Sequence, residues 1–429
     1  MKNRRSIILF LKPEFVSIHG YLMKIMAILK KSKTDHVLFA LVLVLMIFGL
    51  VMITSIGVSK SVDLSAHDVL YPSCSDANVD CYLLFKNHFI RLIFGSLALF
   101  IASKISFRFW KKISVVLFGL TVIILFLVLI FGSSSNTFAK SWLVLFNTSF
   151  QPIEFAKLAM IFYLANWMEK KSGEIETFQY GFLPFCIVTG VMILPILLQP
   201  DMGGTLVVGI IAVAMFFAAG AKIRHLAVGA FVVLLMGIIV VTSVGHVRDR
   251  FQAYFSGDKN CKEDYCWQSE QANIAVGSGG FWGKGLTQGV QKAEWLPQAS
   301  DDFIFAASAE ELGFLLILGV VMLYTAIGYR GLKIARHAPN RFTMLTAVGI
   351  TTWIVAQAFV NIAVNLALMP VTGITLPFVS YGGSSLMSVL IAMGILLNIS
   401  KNTTAYASSF ERGGNGRAHN PKYRSYSRT

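Results

Sequence analysis

Residues 36–58 read HVLFALVLVLMIFGLVMITSIGV, an apolar run with no formal charge after its first residue. A helix of about 20 residues rises about 30 Å at 1.5 Å per residue, the thickness of a bilayer's hydrocarbon core. Nine more such runs follow, near 89–105, 112–132, 152–168, 179–199, 203–220, 225–244, 311–329, 342–369 and 382–399. They are continuous rather than alternating, which argues against barrel strands. The 429-residue chain is 55% hydrophobic and 14% charged, whereas a soluble domain carries about 25% charged residues. The expected fold is an all-α integral membrane protein, a bundle of about ten transmembrane helices with a large extracytoplasmic loop between helices 7 and 8.

The net charge of +15 raises nucleic acid as a partner. Its distribution points to the bilayer instead. With the N-terminus inside, 26 Lys and Arg fall on cytoplasmic segments and nine on outer loops: Lys60, Lys86, Lys140, Arg248, Arg250, Lys259, Lys262, Lys284 and Lys292. Only Arg91 and Lys157 lie within or at the edge of a span. This is the positive-inside bias, and it places both termini in the cytoplasm. Three parts follow: a basic cytoplasmic extension over 1–35, a polytopic membrane domain over 36–400 with an outer loop at about 245–310, and a disordered cytoplasmic tail over 401–429. Residues 1–35 lack a cleavage site and a long apolar core, so they are not a signal peptide. Phe15, Ile18, Leu22, Ile25, Met26 and Leu29 fit one face of an interfacial helix; a disordered tail is the competing reading.

Of five cysteines, Cys186 falls inside a span. Cys74 and Cys81 share the first outer loop, and Cys261 and Cys266 share the large one. An oxidising outer compartment makes each pair a candidate disulfide rather than a metal site.

Polar residues gather in a few places. The large loop runs from Trp267-Gln268-Ser269 through Gly277–Gly285, Leu296-Pro297 and Asp301-Asp302-Phe303 to Glu310-Glu311-Leu312-Gly313. Its glycine-rich part fails the phosphate-loop pattern, because Ser278 stands at the first glycine position and Gly285 follows Lys284. It is either a tightly packed loop or a backbone that approaches an anion. Asp302 precedes Phe303-Ile304-Phe305, and burial against aromatic groups would raise a carboxyl pKa toward that of a general base. Asp301 reads as a solvated or capping residue. Glu310 and Glu311 read foremost as carboxylates at a helix start, suited to the dipole.

Glu154 and Lys157 are three residues apart at the head of the fourth span, where they form an ion pair as structure or as a ligand contact. Gln199-Pro200-Asp201-Met202-Gly203-Gly204 is a hairpin turn whose carboxylate caps a helix or lines a pocket. Between Asn365 and Ser385, Pro370, Gly373 and Pro377 break the helix at membrane depth. Irregular backbone there must be buried or line a wet cavity, and Thr372, Thr375, Ser380, Tyr381 and Ser384 favour a cavity.

Taken together, four segments resemble the SEDS family (shape, elongation, division and sporulation): Gln151–Ala159, Leu198–Gly203, Gln268–Gly313 and Gly373–Ser385, in family order over about 36–400. Gly373-Ile374-Thr375-Leu376-Pro377-Phe378, and Glu154-Phe155-Ala156-Lys157 followed by Tyr163-Leu164-Ala165, look like the division-type branch rather than the elongation type. The resemblance implies a ten-helix polymerase that joins lipid II, an undecaprenyl-diphosphate-linked disaccharide, into glycan strands outside the bacterial plasma membrane. It also implies a class B penicillin-binding protein and other divisome membrane proteins as partners, and a place at the septum. Asp302 falls at the family's essential aspartate, and Glu154 and Lys157 on its ion pair. The chain departs from the family at Ile153, Gln298 and Ser300-Asp301, and reads Ser141-Trp142 with Lys140 where an Arg-Trp pair is usual. Its four outer-loop cysteines are also unusual.

The donor sugar is α-linked and the product bond is β. Inversion in one displacement requires a base for the acceptor hydroxyl and no nucleophile–acid pair of the retaining kind. The departing diphosphate needs cations. The candidates are Lys157, Arg248, Arg250, Lys284 and Lys292, with Glu154, Asp201 and Ser380 also placed around the substrate. Alternatively Mg²⁺ or Mn²⁺ is held in part by Asp302 or Asp201. A lipid II flippase is the competing function, since broken helices and charge at depth suit alternating access. No internal inverted repeat is evident, and the richest polar segment lies outside the spans. A non-catalytic scaffold fits the intact polar loop less well.

Overall fold

The computed structural model of the protein describes residues 34–412, except 67–72, 77, 134–140, 146–147 and 294 and, between 244 and 262, all but 245, 248 and 254. The expected interfacial helix within 1–35 and the tail beyond 412 lie outside the described residues.

Every one of the ten apolar runs is a helix. They are α1 (His36–Ile56), α3 (Leu83–Ala102), α4 (Phe107–Phe131), α5 (Pro152–Lys170), α6 (Leu183–Leu198), α7 (Met202–Ala218), α8 (Ile223–Ser243), α10 (Ile304–Arg336), α11 (Arg341–Asn365) and α12 (Gly383–Arg412). Two more, α2 (Val58–Ser65) and α9 (Glu263–Gly279), lie in the connections after α1 and α8. Seven of the described helical segments are long and apolar enough to cross a membrane. A two-stranded antiparallel hairpin, Leu143–Leu145 with Thr148–Phe150, precedes α5.

Local chemistry sets the helix starts. Asp35 accepts from Leu38 N–H and caps α1. Pro152 opens α5, where its missing N–H costs nothing. Asp201 accepts from Gly204 N–H at the head of α7, so its carboxylate caps that helix. Asn340 and Thr343 form a reciprocal capping box on α11.

Burial separates a centre from a rim. In their most apolar windows α11 and α12 are 72% and 78% buried, against 22% for α3 and α4. The polar residues of α11 and α12 therefore face other helices, whereas α3 and α4 present Ile90, Phe94, Val116 and Ile123 outward.

Two differences from the sequence reading stand out. The eighth span begins at Ile304 rather than near 311 and is broken at Gly313, with φ 73° and ψ 177°. A Cβ there would lie 2.2 Å from Gly283 N, so only glycine lets the 281–283 backbone press on this helix. The last helix also runs through Arg412, eleven residues past 401, where the sequence reading starts the tail.

Candidate active site

The polar residues meet where one face of α11 looks toward the broken segment 366–382. Gln357, Asn361 and Asn365 recur every four residues and are buried, so they form a single polar stripe in the otherwise apolar C-terminal half of the helix. Each holds a different part of the site. Asn361 Nδ2 donates to Asp302 O at 2.7 Å and to Ile374 O at 2.6 Å. Asn365 Nδ2 donates to Asp302 O at 2.9 Å, and its Oδ1 accepts from Ala306 N–H at 2.9 Å. Asn365 thus caps α10 from another helix and fixes the backbone that carries Asp302. Gln357 Nε2 donates to Thr375 O at 3.0 Å. This stripe is absent from the motif reading. The signal was available, since Asn and Gln inside a membrane span bond across helices or mark a functional cavity.

Lys157, 2% exposed, donates to Glu154 Oε1 at 2.8 Å and to Gln357 Oε1 at 2.7 Å. Trp353 supplies a second donor to Gln357 Oε1 at 2.7 Å, and its ring lies 5.0 Å from the ammonium. Ser388 donates to the other oxygen of Glu154 at 3.3 Å. A buried charge pair survives only when its remaining hydrogen-bonding capacity is filled in this way. Glu154, Lys157, Asp201, Gly203, Gly373 and Thr375 line one small cleft of about 20 Å³, room for roughly one water. Asp302 is half-buried. A Cβ on Gly373 would lie 3.7 Å from Asp302 Oδ2, so its carboxylate stands beside the same glycine. The structure therefore gathers Asp302, Glu154, Lys157 and Asp201, which are up to 148 positions apart in sequence, into one neighbourhood.

Asp301 is neither solvated nor a helix cap. It is 17% exposed and pairs with Lys60 from α2. Ser380 sits under the loop: its hydroxyl donates to Asp301 O at 2.6 Å and accepts from Leu376 N–H at 2.8 Å. Ser380 thus ties the Asp301 carbonyl to the 376–380 turn.

A second polar cluster corrects the reading of the glutamates. Glu310 and Glu311 are 0% and 1% exposed and do not cap a helix start. Glu310 accepts from Lys284 at 2.7 Å and from the N–H groups of Val290 and Gln291. Glu311 accepts from Lys292 at 2.6 Å, from the Ser55 hydroxyl and from Thr287 N–H. The 284–292 loop is strapped to α1 and α10 through these carboxylates. Lys284 and Lys292 are consequently engaged by these carboxylates, at 34% and 13% side-chain exposure. Arg248 is exposed; Arg250 lies outside the described residues.

Cys74 and Cys81 are bridged, with Cα atoms 5.7 Å apart. Cys266 is disulfide-bonded, and Cys261 lies outside the described residues. Cys186 is a free thiol. Among the described residues no group of three or more His, Cys, Asp or Glu could form a metal cage.

Comparison with known proteins settles the family. The FtsW/RodA/SpoVE model, described as cell cycle protein, matches residues 35–405. The chain belongs to this family. It is the SEDS family of the sequence motifs, and the match spans every element of the site. A "Probable peptidoglycan glycosyltransferase FtsW" of Geobacter sulfurreducens is 35% identical over 370 residues, covering 86% of this chain and 95% of that protein. The stage V sporulation protein E of Bacillus subtilis is 36% identical over 377 residues, covering 87% and 98%. Among solved structures, a chain described under "Structural coordination of polymerization and crosslinking by a peptidoglycan synthase complex" is similar at TM-score 0.70 and 27% identity, covering 86% of this chain and 98% of that one. The rod shape determining protein RodA of Thermus thermophilus follows at TM-score 0.61 and 27% identity, covering 86% and 97%. This SEDS chain is therefore a multi-pass helical membrane protein.

Proposed function

We propose that this SEDS protein is a peptidoglycan glycosyltransferase that polymerises lipid II into β-1,4-linked glycan strands on the outer face of the plasma membrane. One observation carries the reading: Asp302, on a turn whose carbonyl is clamped by Asn361 and Asn365, presents its carboxylate beside Gly373, the glycine that also lines the Glu154–Lys157–Asp201 cleft. A clamped main chain is what a general base requires, because proton transfer needs heavy-atom geometry of about 2.6–3.2 Å. The relatives named as peptidoglycan glycosyltransferases support the same chemistry.

In this account Asp302 takes the proton of the acceptor hydroxyl. The freed oxygen attacks the anomeric carbon of the donor from the face opposite the diphosphate. The C–O bond to the diphosphate breaks, and its electron pair leaves with the phosphate oxygen. One carboxylate is sufficient for such an inverting displacement. Glu154 and Lys157 hold the cleft in shape through Gln357 and Thr375. Should Mg²⁺ or Mn²⁺ take part, Asp302 and Asp201 are the oxygen ligands on offer, and substrate phosphates would complete its shell; it would neutralise leaving-group charge.

The division-type segments support a septal role with a class B penicillin-binding protein and other divisome proteins. Both termini are placed in the cytoplasm on the Lys and Arg distribution. Lipid II carrying a fluorescent label tests the reading: the purified chain, alone and with its cross-linking partner, should yield glycan polymer, and Asp302→Asn should not. Wild-type protein that moves labelled lipid II across vesicles without polymer in either state would favour the flippase.

A further inference from the structure

Among the described residues, Arg91 is a cation in a membrane span that the candidate active site leaves unexplained. It lies eight residues into α3 but only two residues into the apolar run that begins near 89, at the edge of the span. A cation within a membrane span usually pairs with a carboxylate or a backbone carbonyl. Among the described residues Arg91 has no carboxylate within ion-pair distance and donates no hydrogen bond. It stacks instead on Tyr381, 4.7 Å from the ring centroid. A Cβ on Gly383 would meet Arg91 Nε at 3.2 Å and Cζ at 3.4 Å, so the guanidinium lies against the first residue of α12.

That position is electrostatically wrong for a cation. The first turn of a helix presents unsatisfied N–H groups and about half a positive charge. Two positive ends meet here, and both are half-buried and reachable: Arg91, Tyr381, Gly382 and Gly383 each retain partial exposure. One turn away on the same face of α3, His88 is 0% exposed, and neither ring nitrogen has a hydrogen-bond partner. Its ring lies 6.1 Å from that of Tyr381, the platform that Arg91 covers. A fork of donors, a helix N-terminus with no side chain in the way and an unpartnered imidazole thus converge on one place. Close packing fixes the arrangement, because Gly95 lets α3 press on Leu390 of α12.

We infer that Arg91, Tyr381 and the Gly382–Gly383 head of α12 form a binding site for the phosphate of a membrane lipid. The guanidinium supplies paired donors that match phosphate oxygens, and the bare backbone of α12 supplies more. The exposed apolar face of α3, with Ile90, Ile93, Phe94 and Leu97, lies alongside for the lipid chain. The site is distinct from the Glu154–Lys157 cleft, but the same segment joins them: Tyr381 N–H donates to Ser300 O at 3.0 Å, two residues before Asp302.

The test is lipid binding by the full chain in detergent, read by native mass spectrometry, so it stands apart from polymer formation. The probes are a polyprenyl diphosphate, phosphatidylglycerol, uncharged diacylglycerol and inorganic pyrophosphate. Wild-type protein should hold at least one phosphate-bearing lipid in preference to diacylglycerol, and Arg91→Gln should weaken it about ten-fold or more. Whether the polyprenyl diphosphate or the phosphatidylglycerol arm responds identifies the source of the phosphate, and an Arg91-dependent pyrophosphate signal assigns the contact to the headgroup alone. Arg91→Lys keeps the charge without the fork and should bind with intermediate affinity, which keeps the test open if Arg91→Gln fails to fold. Wild-type affinity for every phosphate-bearing probe in both variants, or equal binding of diacylglycerol by the parent chain, would overturn the site.

Discussion

Replacing Lys157 by Ala removes one partner of an ion pair that is 2% and 8% exposed on its two side chains. At 2.8 Å the gross attraction is about 6 kcal/mol for an effective dielectric of about 20. Desolvation of the two ions offsets most of that, so the net contribution of the intact pair is small. The cost of breaking it is not, because among the described residues the Glu154 carboxylate then keeps only the 3.3 Å contact from Ser388. An uncompensated buried charge costs about 3–5 kcal/mol. Gln357 also loses its Lys157 donor, although Trp353 still serves the same oxygen. The expected loss for Lys157→Ala is therefore about 4 kcal/mol. Glu154→Gln combined with Lys157→Met should recover at least about 2 kcal/mol of it, since no charge is then stranded. Reversible unfolding in mixed micelles, titrated with an ionic detergent, measures all the variants of this cycle. A Lys157→Ala loss below about 1 kcal/mol, or a double variant no better than the sum of the single ones, would refute the reasoning. Full polymerase activity in Lys157→Ala would separately remove this residue from the site.

Other variants probe the neighbouring elements. Asp301→Asn breaks a pair whose Lys60 is 38% exposed, so it should cost about 1 kcal/mol or less and leave most activity in a polymerisation assay. Gly313→Ala places a Cβ 2.2 Å from Gly283 N at φ 73°, and size-exclusion profiles should show loss of folded protein; a well-folded variant would contradict the tight seating of the outer loop. Non-reduced peptide mapping should recover Cys74 linked to Cys81, and alkylation of both thiols in mature protein would exclude the bridge. Cysteines introduced near 288 should react with an impermeant reagent in intact cells and those near 333 should not; the reverse pattern means the topology is inverted.

The membrane bundle was legible because burial in lipid leaves a one-dimensional signal: each apolar run became a helix within a few residues at most boundaries. The Glu154–Lys157 pair was legible for a similar reason, since charges in an apolar run must find a partner, and at three residues apart the partner is local. Glu310 and Glu311 were misread because their ligands, Lys284, Lys292, Ser55 and the N–H groups of 287–291, come from other segments. Position near a predicted helix start suggested a cap, whereas the helix in fact begins six residues earlier than Glu310. Ser380 looked like a cavity residue by type, and only its two hydrogen bonds show that it faces the Asp301 backbone. The Gln357–Asn361–Asn365 stripe carried a readable spacing, but neutral amides give a weaker contrast against hydrophobic neighbours than charges do. What they hold, the carbonyl of Asp302 and the 374–375 backbone, depends on long-range packing that no local pattern encodes.

The central claim is that Asp302 is the general base of a glycan polymerase. Polymer formed from labelled lipid II per unit of folded enzyme, compared among wild type, Asp301→Asn and Asp302→Asn, tests it most directly. Asp302→Asn preserves shape, and the clamp by Asn361 and Asn365 acts on the main chain rather than on the carboxylate, so the variant should fold and still associate with a cross-linking partner. Its rate should fall by about 10²–10⁴, while Asp301→Asn stays close to wild type. Near wild-type polymerisation by Asp302→Asn, with loss in Asp301→Asn, would assign the chemistry to the other aspartate; full activity in both would contradict the catalytic account of this turn.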